Sequence, residues 1–286
     1  MEFSARLSSR TLDAHPQSDA IKRILSAALE AADPANAVHV ALKKEENALK
    51  VGEQTFQLDE LANVYIVAFG KAAPAMASAA CMILGNTLRG GVVVSKYASE
   101  KALGGLSLYI AGHPVPNEKS QLAGEAILSL LAQCGKYDLV IFLISGGGSA
   151  LVTSPVDGVS LTDLQQLTSL LLGSGARIDE INTLRRALDG IKGGGLARAA
   201  CPAKQISLIL SDVVDSPLEA IASGPTVPNP TRNSDALMVL EKYDLLHKIS
   251  PAIISALKRN DVETATLSGK AFVIGSNQIS AKAAKQ

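Results

Sequence analysis

Two hydrophobic rhythms alternate along the chain. Nearly unbroken apolar runs at VYIVAFG (64–70), GVVVSK (91–96), LSLYIAG (106–112), LVIFLI (139–144), ISLIL (206–210) and FVIGS (272–276) predict strands. Between them, apolar positions return every three or four residues. Ser18 predicts the cap of a helix that carries Ile21, Ile24, Leu25, Ala28 and Leu29 on one face, and Pro34 closes that region. Residues 71–84 read as an Ala-rich helix ending at Gly85. Asn117 caps a helix through Leu131. Ser160 and Asp163 open another, whose Leu164, Leu167, Leu170 and Leu171 face inward. Ile178, Ile181, Leu184, Leu188 and Ile191 mark a further one, and shorter helices are expected near 217–222, 234–243 and 251–259. Alternation on both sides of Gly52-Glu53, within 49–58, predicts a hairpin.

Apolar strands that lack a polar face are buried on both sides, and here they alternate with helices. That pattern predicts an α/β fold: a three-layer α/β/α arrangement around a mostly parallel, Rossmann-like sheet. Ligands of such folds bind beyond the carboxyl ends of the strands. No internal repeat, low-complexity tract or linker divides the chain. After FVIGS, Asn277 starts a helix that should lead to a further parallel strand, and none follows. The expectation is a chain cut inside a βα unit.

Composition narrows the partners. The 286 residues are 47% hydrophobic, with 27 basic and 27 acidic side chains. Zero formal charge argues against nucleic acid or an anionic membrane as the main partner, while leaving room for a local basic pocket. Aromatics are 3% of the chain and Trp is absent, which disfavours base-stacking platforms. Cys81, Cys134 and Cys201 are widely spaced and fit no zinc pattern, so they are expected as buried free thiols in a reducing compartment. The run 139–144 is too short to cross a bilayer. MEFSARLSSR has no secretory apolar segment, and Glu2 and Asp13 count against a mitochondrial transit sequence. The reading is a cytoplasmic protein, with the mitochondrion as the alternative.

The candidate chemistry sits at strand ends. In Phe69-Gly70-Lys71, glycine permits a tight strand-to-helix turn, and a cation at a helix start makes sense if an anion lies beside it. In Ser145-Gly146-Gly147-Gly148-Ser149, bare backbone amides can surround phosphate or carboxylate oxygens, helped by a helix start. This is neither a Walker A loop nor GxGxxG, and Leu151 stands where a nucleophile elbow needs glycine. Asn182, Arg185, Asp189 and Lys192 recur at three- and four-residue steps on one helical face, ending in Gly193-Gly194-Gly195. One glycine would suffice for a cap, so this triplet too suggests a ligand. Asp212 and Asp215 follow strand 206–210 and can hold magnesium through water or accept a substrate proton. His113, in the turn Gly112-His113-Pro114, could bind or polarise a substrate, although a lone histidine in a rigid proline turn is more often structural. Glycine-rich anion cradles, cations and acids are the parts that phosphoryl transfer needs.

Six stretches together resemble the glycerate kinases of the MOFRL type, which form 2-phosphoglycerate: VAFGKAAPAMA (67–77), GHPVPNEKS (112–120), LISGGGSALV (143–152), EINTLRRALDGIKGGGLA (180–197), LILSDVV (208–214) and IASGPTVP (221–228). They span most of the chain in the family's order, with wording nearest to animal members. The resemblance implies phosphorylation of D-glycerate by ATP with Mg²⁺, in serine and fructose breakdown. It also implies two α/β domains with the active site between them. It places Lys71 near the substrate and the transferring phosphate, Ser145 to Ser149 as the glycine loop, and Asp212 as the acid of the SDV motif. Asn182, Arg185, Lys192, Gly193 and Gly194 fall in the family's INT-helix motif, where phosphate or substrate contacts are expected. Asp212 is the expected metal ligand or base. The implied partners are ATP and D-glycerate, with a homo-oligomer left open.

Two departures stand out. Where the family usually has Gly-Asp after SDVV, this chain has Asp215-Ser216. Family members also continue into a C-terminal domain that adds a catalytic arginine and one wall of the cleft. The expected layout is therefore a flexible 1–17, an N-terminal kinase domain over 18–268, and at 269–286 the first strand and helix start of a shortened continuation. Such a chain would retain little activity of its own.

Overall fold

The computed structural model describes residues 3–99, 103–259, 267 and 269–285. Its centre is a parallel sheet of β4 (Asn63–Phe69), β5 (Leu88–Ser95), β6 (Ser107–Ile110), β7 (Asp138–Ser145), β8 (Lys204–Leu210) and β9 (Lys270–Gly275). The six strands lie in the order β6-β5-β4-β7-β8-β9. Counting from β4, this is the doubly wound 3-2-1-4-5-6 order, whose winding reverses between β4 and β7.

Burial explains why these segments became strands. Every residue of β7 is buried, so both faces of the central strand are covered. Val67, Phe69, Val94, Val140, Phe142 and Ile144 pack with Ala123, Ile127 and Leu131 of α5 (Glu118–Leu131). The alternate residues Ile66, Ala68, Val93, Ile141, Leu143 and Leu208 pack with Val38 of α3 (Pro34–Ala41) and Met76 of α4 (Ala73–Leu84). Each buried Val, Leu, Ile, Phe or Met among them contributes roughly 1.5–3 kcal/mol by leaving water. The same second core receives Leu49 and Val51 from a three-stranded antiparallel sheet, β1 (Leu42–Glu45), β2 (Ala48–Val51) and β3 (Gln54–Gln57). The expected hairpin is β2–β3. Strand β1 was not foreseen because three of its four residues are exposed and polar, so it shows no alternation.

Some boundaries move for identifiable reasons. Helix α1 is one turn (Arg10–Asp13), and α2 (Ser18–Ala32) begins at Ser18 rather than being capped by it. Pro34 does not merely end that region. It is the first residue of α3, with Asp33 capping, because a proline at the start of a helix has no amide to leave unpaired. Helix α5 starts with Asn117 as cap, as expected. The Ser160–Asp163 capping box opens α7 (Leu161–Gly173), also as expected. Of the thiols, Cys134 is buried but Cys201 is exposed, contrary to the expectation for all three.

A third core lies apart from the sheet. Leu164, Leu167 and Leu171 of α7 pack with Ile181, Leu184 and Leu188 of α8 (Ile178–Leu188). They meet Val239 and Leu240 of α10 (Asn233–Lys242), and Ile253 and Leu257 of α11 (Pro251–Leu257). The four-residue helix α6 (Gly148–Leu151) and the short α9 (Gly195–Ala199) connect this group to the strands. Helix α12 (Asn277–Lys285) follows β9 and packs along α2.

Candidate active site

The loops after β4 and β7 leave the sheet at the point where its winding reverses, and they are tied to each other. Lys71 N donates to Gly146 O at 3.0 Å, and Ala72 N donates to Ser145 Oγ at 3.1 Å. Gly70 has φ +125°, and a Cβ there would lie 2.8 Å from the Ser145 carbonyl carbon. Only glycine allows the two loops this approach. Helix α4 begins at Ala73, so Lys71 stands in the turn before the helix and not in its first turn.

The two glycine triplets differ in what their amides do. Among the described residues, no protein group accepts a hydrogen bond from the amides of Gly146, Gly147 or Gly148. Those donors are free for a ligand. In the second triplet, Gly193 N donates to Ser223 O at 3.0 Å, Gly194 N to Gly224 O at 2.8 Å and Gly195 N to Lys192 O at 3.0 Å. Gly193 and Gly194 were expected to touch a ligand. Instead their amides are spent on carbonyls, and their φ values of +55° and +82° shape a chain crossing.

Charged groups converge on the open triplet. Gly147 has φ +87°, and a Cβ there would lie 3.1 Å from His113 Nε2 and 3.3 Å from Lys71 Cε. A Cβ at Gly146 would lie 2.8 Å from Asp212 Cγ. Burial first, then the charges of Lys71, Lys96 and Arg185, hold the His113 pKa below its ordinary value. Among the described residues, none of those three cations has a carboxylate within 4.0 Å. His113, whose turn favoured a structural reading, thus stands over the loop inside a cluster of positive charge. Lys96 was not singled out, although its place at the end of β5 was the available signal.

A buried polar chain runs from the loop to α8. Ser149 Oγ and Ser223 Oγ are 2.5 Å apart, Ser223 Oγ donates to Asn182 Oδ1 at 2.9 Å, and Arg185 reaches the same oxygen at 3.4 Å. Ser223 is fully buried in a segment where Ala222, Ser223 and Gly224 all have positive φ (51°, 62° and 62°). Two consecutive non-glycine residues held left-handed store strain, a feature concentrated at functional sites. The expected helix at 217–222 is for this reason only a short 3₁₀ turn, Ile221–Ser223.

The face shared by Asn182, Arg185, Asp189 and Lys192 is corrected in part. Helix α8 stops at Leu188, and Asp189 is extended, bridging to Pro155. Its carboxylate accepts from Thr153 Oγ1 at 2.5 Å, Ser154 N at 3.1 Å and Ile191 N at 3.0 Å, and closely contacts Lys192 Nζ. These bonds outcompete one more helical turn. Lys192 is buried and also donates to Val152 O at 3.1 Å. Burial pushes its pKa down, while Asp189 pulls it back up.

Asp212 is exposed and carries no ion pair among the described residues. Asp215 and Ser216 have φ +58° and +48°, and Asp215 Oδ1 accepts from Gln278 at 3.2 Å. Glycine adopts that backbone most easily and Asp tolerates it, which accounts for a position where the motif family usually has glycine. Among the described residues, no group of three His, Cys, Asp or Glu side chains could hold a metal, and no helix is long and apolar enough to cross a membrane.

Fold and loop geometry together define a doubly wound α/β protein with a glycine-framed, cation-lined loop at its switch point. Residues 20–258 match the family described as "Domain of unknown function (DUF4147)", and the chain belongs to that family. It is 43% identical over 268 residues to a glycerate 2-kinase of Pyrococcus horikoshii, covering 91% of this chain and 60% of that protein. It is 43% identical over 227 residues to a glycerate kinase of Rattus norvegicus, covering 74% and 43%. The crystal structure of a glycerate kinase from Thermotoga maritima superposes with a TM-score of 0.81 at 39% identity, covering 93% of this chain and 61% of that one. The chain thus spans about 60% of the Pyrococcus relative's length.

Proposed function

We propose that the chain is the glycine-loop part of an ATP-dependent kinase that phosphorylates D-glycerate on its 2-hydroxyl, serving serine and fructose breakdown in the cytoplasm. The open amides of Gly146, Gly147 and Gly148 beside Lys71 and His113 carry this reading. They would cradle phosphate oxygens while Lys71 neutralises charge on the group in transfer. A bond forms from the glycerate 2-oxygen to phosphorus, the bond to the ADP oxygen breaks, and the hydroxyl proton leaves to a base. Asp212, exposed beside Gly146, is the group for that proton or for magnesium. A magnesium ion held mainly by nucleotide phosphates and water needs only one or two carboxylates, which fits a lone Asp212, and it would supply charge neutralisation. Asn182, Arg185 and Lys192 contribute anion contacts from the α8 side.

The test is phosphate transfer from ATP to D-glycerate by a form with the full length of the relatives. Product phosphorylated at position 2 is expected by ³¹P NMR, with turnover lost in Lys71→Ala. No transfer with magnesium present, together with an indifferent Lys71→Ala, would sink the proposal. A second reading is a nucleotide- or glycerate-binding chain without its own turnover. Calorimetry showing binding of an ATP analogue and D-glycerate, without transfer by this chain, selects it.

A further inference from the structure

Ser223 occupies a backbone position that suits glycine. It is fully buried at φ +62°, between Ala222 at +51° and Gly224 at +62°. A side chain held left-handed is strained, and such strain persists only where the surroundings enforce it. Here the second glycine triplet does so. Gly193 N and Gly194 N donate to the carbonyls of Ser223 and Gly224, and Leu196 N donates to Pro225 O at 3.0 Å. The first triplet rests on the same turn, since a Cβ at Gly148 would lie 2.9 Å from Ala222 Cβ. The triplet whose amides are spent thus frames the turn on which the open triplet sits, and that turn aims one hydroxyl at Ser149.

The hydroxyl has a fixed direction. Asn182 Nδ2 donates to Ala220 O at 3.4 Å, and Arg185 Nη1 donates to Asn182 Oδ1 at 3.4 Å. Reversing the amide would set oxygen against oxygen and N–H against N–H, so both neighbours keep Oδ1 toward Ser223. Ser223 has one hydroxyl proton, and it goes to Asn182 Oδ1 at 2.9 Å. Ser149 Oγ, 2.5 Å from Ser223 Oγ, must therefore be the donor in that pair. Its proton is consumed on the protein side, and what Ser149 can offer a ligand is lone pairs. Ser149 is half-buried and lines the hollow between the loop and helices α7 and α8, together with Arg185, Asp189 and Lys192.

We infer that Ser223 is a positioning residue that sets the polarity of Ser149. The loop then presents N–H donors at residues 146–148 and, beside them, an acceptor that receives a ligand hydroxyl and disfavours an anion. Ser149, expected from sequence as an anion contact, becomes the member of the loop that selects for a hydroxyl. The inference rests on the kinase reading only for the source of that hydroxyl, the nucleotide sugar or the acceptor alcohol.

Calorimetry of the 286-residue chain with inorganic pyrophosphate tests the polarity. Ser149→Ala should bind pyrophosphate as tightly as the unmodified chain, or more tightly. Ser223→Ala frees the Ser149 proton for the anion, so affinity should rise about threefold to tenfold, the effect of one added hydrogen bond. The rise should vanish when Ser149→Ala is combined with Ser223→Ala. A purely structural Ser223 would instead weaken binding in both backgrounds. Ser223→Gly gives the same reading if the alanine chain does not fold, because glycine takes this left-handed backbone without strain. A loss of about tenfold in Ser149→Ala, no rise in the Ser223 variants, or a rise that survives Ser149→Ala overturns the inference. So does an unmodified chain that binds no pyrophosphate. In a form with the full length of the relatives, Ser149→Ala should lower kcat/KM by about tenfold, and an unchanged value overturns the hydroxyl contact. If 2′- or 3′-deoxy-ATP abolishes the effect of Ser149→Ala, the hydroxyl is the sugar's; if the effect persists with both, it is the acceptor alcohol's. If that form transfers nothing while the pyrophosphate series holds, only the kinase reading fails.

Discussion

His113 shows how a single residue takes its meaning from neighbours distant in the chain. Its turn gave no reason to prefer a ligand role over a structural one. The glycines were legible as bare backbone, but nothing local announced that Gly147 would lie beneath an imidazole and a lysine stem. That juxtaposition comes from three separate strand ends meeting. It also sets a titration. The folded pKa lies below the ordinary 6.5 because the site is buried and positive. Between the two values the unfolded chain binds more protons, so His113 favours the folded state above about pH 6.5, and that advantage is lost as pH falls through the window. An anion on the loop opposes Lys71, Lys96 and Arg185 and must raise the pKa. A proton NMR titration of His113 should show a midpoint below 6.5 in the free chain, moving up when inorganic pyrophosphate is added. A midpoint indifferent to pyrophosphate would remove His113 from the anion site.

At the level of elements, the strands were the most legible, because a strand covered on both faces needs an apolar run and little else. The end of α8 was not legible. Its periodicity continues to Ile191, yet the helix stops at Leu188, because Asp189 bonds residues 35 and 36 positions upstream. Long-range polar pairing of this kind has no local signature. The same pairing fastens the segment after α6 to the end of α8. Removing its charge should be expensive: Asp189→Asn leaves Lys192 as a buried, unmatched cation. Urea unfolding should show a loss of about 3–5 kcal/mol. A loss below about 1 kcal/mol, the range of exposed pairs, would mean that Lys192 is not held as a buried ion.

Across the whole molecule, zero formal charge conceals an uneven distribution. The winding order brings Lys71, Lys96 and His113 to one sheet edge, where Arg185 of α8 also acts on His113, which a charge count along the sequence cannot reveal. Within that edge the cations differ in exposure. Lys71 is solvent-exposed, whereas Arg185 is partly buried on α8. Salt screens exposed charges over about 8 Å at physiological ionic strength and buried ones much less. The two proposed ligands should therefore respond differently. Affinity for a non-hydrolysable ATP analogue should fall steeply as salt is raised, and Lys71→Ala should flatten that slope. D-glycerate affinity should decline only weakly, because its carboxylate meets Arg185 away from the counterions. Calorimetry across a salt series measures both slopes in one chain. Equal slopes would place both anions in the same exposed field, and the division of the site into an open phosphate cradle and a more sheltered contact at Arg185 would be wrong.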